Sequence, residues 1–351
     1  MLARLHLAHL PLWRSARPVT GLDIQAGQIV AATVSRSPQG LVVERAAAVP
    51  LEAPLVRDGE VADPSGLAHV LSDFFSSNRL PRQVRTGLSS QRAVVRTVEL
   101  PPLQDADDLA SAVAHQAQRE IAMSPVEAVI EHRRLGVVEL PEGPRTRVLV
   151  AAAHRQPVGR LLEALRTAGL RPRGIDLGAF ALIRALAVPA DDDEAVLYVH
   201  AGALTTFALG RGARCELTRV ASVGLESMWV RLAEREGIGA DESRRRLLAC
   251  AGLDADDAAL ETLDQGVREL GDEIRSTLDF HSASAGAPAP TRIVLTGPLA
   301  GLPGIGSAVG AQLDTPVGTA APLAARPDVF DAVSPFDVTI AAGLAVEEVD
   351  G

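Results

Sequence analysis

Three short stretches combine residue types at a spacing that can hold a phosphate. The first is Gly21-Leu22-Asp23-Ile24-Gln25-Ala26-Gly27, a strand running into a tight loop. Loops of this kind turn backbone N–H groups toward an anion, and an aspartate at the strand end can hold a metal-bound water. The second is Tyr198-Val199-His200-Ala201-Gly202-Ala203-Leu204-Thr205-Thr206, whose two threonines can offer hydroxyls to a phosphate. The third is Leu295-Thr296-Gly297-Pro298-Leu299-Ala300-Gly301, a strand that ends in a glycine turn before a helix. That is the shape of a nucleotide-facing loop. The candidate binding residues are therefore Asp23, Gln25, Ala26, Gly27, His200, Gly202, Thr205, Thr206, Gly297 and Pro298. Each stretch also has a plain structural reading. Asp23 can simply end a hairpin strand, the threonines can be β-formers, and the third loop can be an ordinary βα connection. His200 reads as a hydrogen-bonded structural histidine, because no Cys, Asp or Glu sits around it at metal-ligand spacing.

Composition removes other chemistries. Every basic residue is arginine, so a lysine nucleophile, Schiff base or phosphate-loop lysine is excluded. The net charge of −10 argues against a nucleic-acid surface, and aromatic residues at 3% leave little for base stacking. Cys215 and Cys250 are too few for a disulfide framework or a zinc cluster. No catalytic or metal-binding set emerges. The run Arg244-Arg245-Arg246 beside Asp241 and Glu242 reads as a solvated helix face.

Two repeated units and the elements around them have to place the loops. Residues 22–36, LDIQAGQIVAATVSR, echo residues 197–211, LYVHAGALTTFALGR, with Leu22/Leu197, Ala26/Ala201, Gly27/Gly202 and Arg36/Arg211 in step. A turn and a third strand follow each copy. The chain thus contains two strand–loop–strand–turn–strand units. From about Ala93 to Leu177 the pattern reads β-α-β-β-α-β, with strands over Val126–Arg134 and Arg147–Ala153. This reads as an inserted small subdomain. After the second unit the chain reads as helices over Leu225–Arg235, Ala240–Ala251 and Asp257–Phe280. Phe336–Val346 reads as a closing helix rich in small residues. The expected organisation is a loose leader (1–19), a first half (20–190) with the insert at about 93–177, and a second half (191–351) with a helical subdomain at about 224–281. The acidic linker Asp191–Glu194 joins the halves.

Duplicated three-strand units with three loops resemble the actin-like ATPase arrangement. More closely, the chain resembles the PilM-type assembly proteins of type IV pili, which are similar to the cell-division protein FtsA. The resemblance runs in order through GLDI at Gly21–Ile24, RDGEVADPSGL at Arg57–Leu67, VVRTVELPPLQDADDLASAV at Val94–Val113 and QREIAMSPVEAVIE at Gln118–Glu131. It continues through the block from Val148 to Ala185, AGALTTFAL, EIRSTLDF at Glu273–Phe280, VLTGPLAGLPGI at Val294–Ile305 and IAAGLAV at Ile340–Val346.

The resemblance implies an α/β protein with a duplicated actin-like (ribonuclease-H-like) fold and a β-α-β-β-α-β insert in the first half. It implies a cytoplasmic scaffold, peripheral to the inner face of the plasma membrane through its partners. Those partners are the N-terminal cytoplasmic segment of a PilN-like inner-membrane protein and other pilus assembly proteins. The implied contact surface lies beside the insert, at Val94, Arg96, Leu100, Pro101, Val148, Val150 and Ala152. Composition and spacing leave dimers and filaments open. The implied cofactor is ATP with Mg²⁺, yet the chain departs from the family at each loop. Gln25 stands where the family has glycine, Val30 where it has lysine, and Gly297-Pro298 where it has two glycines. Tyr198, Val199 or His200 stands where it has aspartate. Proline removes a backbone donor, and none of the three residues at the aspartate position offers the oxygen that Mg²⁺ prefers. Weak or absent ATP binding and negligible hydrolysis are the expectation. The alternative is an actin-like ATPase or a small-molecule kinase, with Asp176 as the general base.

Overall fold

Alternating apolar residues carry the chain into two antiparallel meanders. In the computed structural model the first is β1 (Thr20–Gln25), β2 (Gln28–Ser37) and β3 (Gly40–Pro50). The structure describes residues 18–346 except 38–39, 53, 104, 121–122, 124–125, 188–193, 213, 252–255, 284–288, 323–324 and 327. The leader up to residue 17 and Asp191, Asp192 and Asp193 of the acidic linker lie outside the described residues.

A two-residue-strand hairpin follows, β4 (Val56–Arg57) and β5 (Glu60–Val61), and then helix α1 (Pro64–Ser77). Pro64 in the first turn and Asp63, whose carboxylate accepts the Ser65 and Gly66 N–H groups, start that helix. The next elements are β6 (Gln83–Leu88), β7 (Val94–Leu100), α2 (Ala106–Glu120), β8 (Ala128–Leu140), β9 (Gly143–His154), α3 (Arg155–Thr167), β10 (Arg171–Leu177) and α4 (Gly178–Leu186). The second meander is β11 (Ala195–Ala201), β12 (Thr205–Arg211) and β13 (Arg214–Ala221). Helices α5 (Leu225–Glu236), α6 (Ala240–Leu248) and α7 (Asp257–Ser282) come next. The described chain closes with β14 (Arg292–Thr296), a 3₁₀ turn (Pro298–Gly301), α8 (Ile305–Gly310), β15 (Val317–Thr319) and α9 (Thr339–Ala345).

The two large sheets have the same order. One runs β3-β2-β1-β6-β10 and the other β13-β12-β11-β14-β15. In each the meander is antiparallel and the last two strands add in parallel. The central strands β1 and β11 are buried along their whole length, as strands covered on both faces must be. The sequence echo is therefore a structural duplication.

The small sheet is β7-β9-β8, antiparallel, with α2 on one face. Here the structure differs from the expected insert. Helix α3 and strand β10, read as its last two elements, return to the first large sheet. There β10 pairs with β6 in parallel, and Leu161, Ala164 and Leu165 of α3 pack with Leu67, Leu71 and Phe74 of α1. The β-α-β-β-α-β order is preserved along the chain but shared between two sheets. Strands β8 and β9 also run further than expected, meeting in a hairpin whose Gly143 adopts φ +109°.

Helix α9 is shorter than its expected span and lies between the halves. Ile340 and Leu344 pack with Leu182 of α4 and Val294 of β14, while Ala341 and Ala342 pack with Val30 and Ala32 of β2. The approach is close at both ends. A Cβ on Gly21 would collide with the Ala341 carbonyl oxygen, and one on Gly343 with that of Ala181. Arg85 donates to the Leu344 and Val346 carbonyls, and Arg184 to the Gly343 carbonyl, capping the helix's C-terminal end with cations. Both cysteines are free and half-buried, in keeping with their reading as small apolar residues.

Candidate functional site

The β1–β2 turn is two residues long, Ala26-Gly27, and Gly27 takes φ +88°, which a side chain would disfavour. The register sets Gln25 opposite Gln28 and Asp23 opposite Val30. Asp23 is 1% exposed. Burial pushes its carboxyl up to about 6, opposed by a hydrogen bond from Gln25 and reinforced by nearby Asp337. Gln25 Nε2 donates to Asp23 Oδ2 at 2.5 Å. On the other side of its carboxamide, Gln25 Oε1 accepts the Ala203 N–H at 3.0 Å. One side chain thus joins the first hairpin to the second.

In the second hairpin His200 pairs with Thr206 and Ala201 with Thr205. The Thr205 hydroxyl is committed to the Val223 carbonyl at 2.5 Å. Burial drives the His200 imidazole down to about 4, and its Nε2 has no hydrogen-bond partner. The turn is tied to α5: the Leu225 and Glu226 N–H groups donate to the Gly202 and Ala203 carbonyls. Gly202 faces the Gln25 amide so closely that a Cβ there would collide with Oε1.

The third loop closes against the second. Gly297, at φ +89°, lies against the Ala201 backbone, and Pro298 opens the 3₁₀ turn. Thr296 is bonded to Thr339 through their hydroxyls at 2.8 Å. The three loops therefore meet at the cleft between the halves: Gln25 joins Asp23 to Ala203, Gly202 lies against Gln25 and His200, and Gly297, just before Pro298, lies against Ala201. Ala26 and Gly27 form the first turn, Thr205 is turned to Val223, and Thr206 is buried in β12.

Three cleft residues escape the sequence reading. Asp337, beside Gln28, is pushed up to about 6 by burial. It sits in a stretch read only as helix, with no motif to mark it. Arg244 and Trp229 lie over Gly27. Arg244 corrects the reading of the arginine run as one solvated face. Arg245 is exposed and pairs with Glu242, and Arg246 grips Asp256 with two bonds of 2.7 Å. Arg244 instead turns inward, and burial lowers its pKa. A one-in-three change of direction is what helical spacing imposes on three adjacent residues.

The donor set fits a Mg²⁺–nucleotide poorly. The carboxamide of Gln25 lies between the two hairpins, the Ala203 N–H is already bonded, and His200 is a buried neutral imidazole instead of a carboxylate. Among the described residues no group of three His, Cys, Asp or Glu side chains is placed to hold a metal.

The expected partner surface needs a correction. Leu100, Val148, Val150 and Ala152 point at α2 and form the core of the small sheet with Val98, Leu109 and Val113. Val94 is half-buried against that core, while Arg96 and Pro101 are exposed. Val150 and its neighbours two residues apart share the inner face by the period of a strand. A shallow hollow lies instead where the chain passes from β6 to β7, lined by Leu88, Ala93, Val95, Leu177, Ala179 and Val220 together with Ser90, Thr218 and Arg219.

Two five-stranded sheets of one order, facing each other across three loops, define an actin-like ATPase fold. A family model described as type IV pilus assembly protein PilM matches residues 21–346, and the chain belongs to that family. A solved structure described as a PilM-PilN type IV pilus biogenesis complex matches with TM-score 0.80 and 26% identity, over 93% of this chain and 97% of that one. Ethanolamine utilization protein EutJ from Carboxydothermus hydrogenoformans matches with TM-score 0.53 and 14% identity, over 93% of this chain and 88% of that one. MreB 5 of Spiroplasma citri, bound to AMPPNP, matches with TM-score 0.50 and 11% identity, over 93% and 95%. The last two show the fold alone.

Proposed function

We propose that this chain is a cytoplasmic adaptor of type IV pilus assembly. It binds the N-terminal segment of a PilN-like inner-membrane protein and works with ATP binding weakened or lost. The observation that carries the partner is the likeness to the PilM-PilN complex along nearly the whole of both chains. Attachment to the membrane through that partner agrees with the described helices, none of which is long and apolar enough to cross a membrane. Other assembly proteins and self-association remain part of the proposal. The weakened cofactor site is supported by Gln25 lying between the hairpins and by the absence of a carboxylate at His200.

The segment's seat in this reading is the hollow beside β7. Calorimetric titration with the partner's N-terminal peptide tests it. Val95→Arg fills the hollow and sets a second cation beside Arg219, and it should weaken the peptide at least tenfold, since like charges brought together in a closed site are costly. Unchanged affinity would move the seat elsewhere. A small-molecule kinase is disfavoured by Asp176. Its carboxylate accepts the Leu177 N–H at 2.7 Å and is paired with Arg184, so it is not a free base.

A further inference from the structure

We infer that the Gln25 carboxamide is a built-in closure of the cleft, doing from within the chain what a polyphosphate and its cation do in a nucleotide clamp. The geometry is specific. Gln25 and Ala203 are 178 positions apart and belong to different halves, yet the amide oxygen meets the Ala203 N–H at 3.0 Å. The amide nitrogen of the same group meets the buried Asp23 carboxyl at 2.5 Å. A backbone N–H in a phosphate hairpin needs an oxygen acceptor, and a buried carboxyl needs a donor. A carboxamide supplies both with no net charge, which suits a cleft that already buries Asp23 and half-buries Asp337.

The neighbours accommodate it. Gly202 leaves the space that the amide oxygen fills, and Arg244 and Trp229 cover Gly27 from α6 and α5. The consequence is that the two halves hold one relation without any ligand. Gln25 is thus a positioning residue for the second hairpin.

This inference rests on the reading of a cleft that works without nucleotide, and it is tested with none present. The readout is amide hydrogen exchange at Ala203, followed by NMR on protein labelled at alanine and glycine, in wild type, Gln25→Ala and Gln25→Asn. Asparagine keeps the polarity but is one methylene too short to span both partners. Both variants should exchange about tenfold faster at Ala203, the loss expected for a buried hydrogen bond. The Gly202 amide is the internal control, because it donates to the Leu204 carbonyl within its own hairpin. It should stay unchanged. Equal acceleration at Gly202 and Ala203 would mean that the hairpin merely loosens, and no change at Ala203 would mean that the bridge does not form. Either overturns the inference. If Gln25→Ala fails to fold, Gln25→Asn decides. Separate titration of the wild type with Mg²⁺–ATP bears on the proposed function, so the two failures are told apart.

Discussion

At the scale of single residues the cleft is defined by groups whose charged forms burial disfavours. Asp23 and Asp337 are both raised to about 6, and His200 is lowered to about 4. For a carboxyl raised in the fold, the contribution to stability is complete below the ordinary value of 3.8 and is lost as pH climbs through about 6. Asp23→Asn should therefore change stability little at about pH 4 and raise it by about 3 kcal/mol at about pH 8. Urea unfolding at the two pH values checks this, and an equal effect at both would contradict a carboxyl raised by burial. How legible was this in the sequence? The identities of Asp23, Gln25, Gly27 and Gly202, and their departure from a phosphate-loop pattern, could be read directly. The direction of the Gln25 side chain could not, since it depends on Ala203 in the other half. Asp337 and Arg244 carry no local signal at all, because each reaches the cleft only through the packing of its own element.

At the scale of elements, the repeated meanders were readable because each carries the same strand pattern, although the turns differ in length, two residues between β1 and β2 and three between β11 and β12. The two faces of the small sheet were not. Val94-Val95 and Val148-Leu149-Val150-Ala151-Ala152 are apolar on both faces, so alternation gives no phase. Strand position therefore does not separate core from contact surface among the residues that the resemblance implies. Val150 is 1% exposed and faces α2. Val150→Ala should cost roughly 2 kcal/mol in urea unfolding and leave the affinity for the partner peptide unchanged. The reverse result, full stability with weakened binding, would restore Val150 to the surface. The end of the insert was hidden for a related reason. A helix and a strand such as α3 and β10 look alike locally whichever sheet they join, and only the parallel pairing with β6 assigns them.

At the scale of the whole molecule, two sheets of one order share a cleft and one helix, α9, that seals both. Binding that favours the folded state raises stability by about 2.7 kcal/mol at a hundredfold excess of ligand over its Kd. The partner peptide should produce a rise of that size in thermal unfolding. Millimolar Mg²⁺–ATP should leave the midpoint within about 1 °C, because the cleft is already closed from inside. A large shift with ATP would show that Gln25 yields to a nucleotide. The general fold was legible because duplication and loop order are properties of the entire chain, spread over many residues. What each half needs from the other was not.

Helix α9 has a bearing on how the protein is made. Its residues 339–345 fill the gap over β1 and β2, more than 300 positions upstream of them. During synthesis neither meander can finish burying its strands while α9 is still inside the ribosome, because Val30 and Ala32 of the first and Val196, Tyr198 and Ala208 of the second all pack against it. Each half can form its own strand pairs early, and both complete their cores together when residues 339–345 emerge. A nascent chain arrested before residue 339 should be cut by protease in both meanders, and one extended past the helix should resist in both.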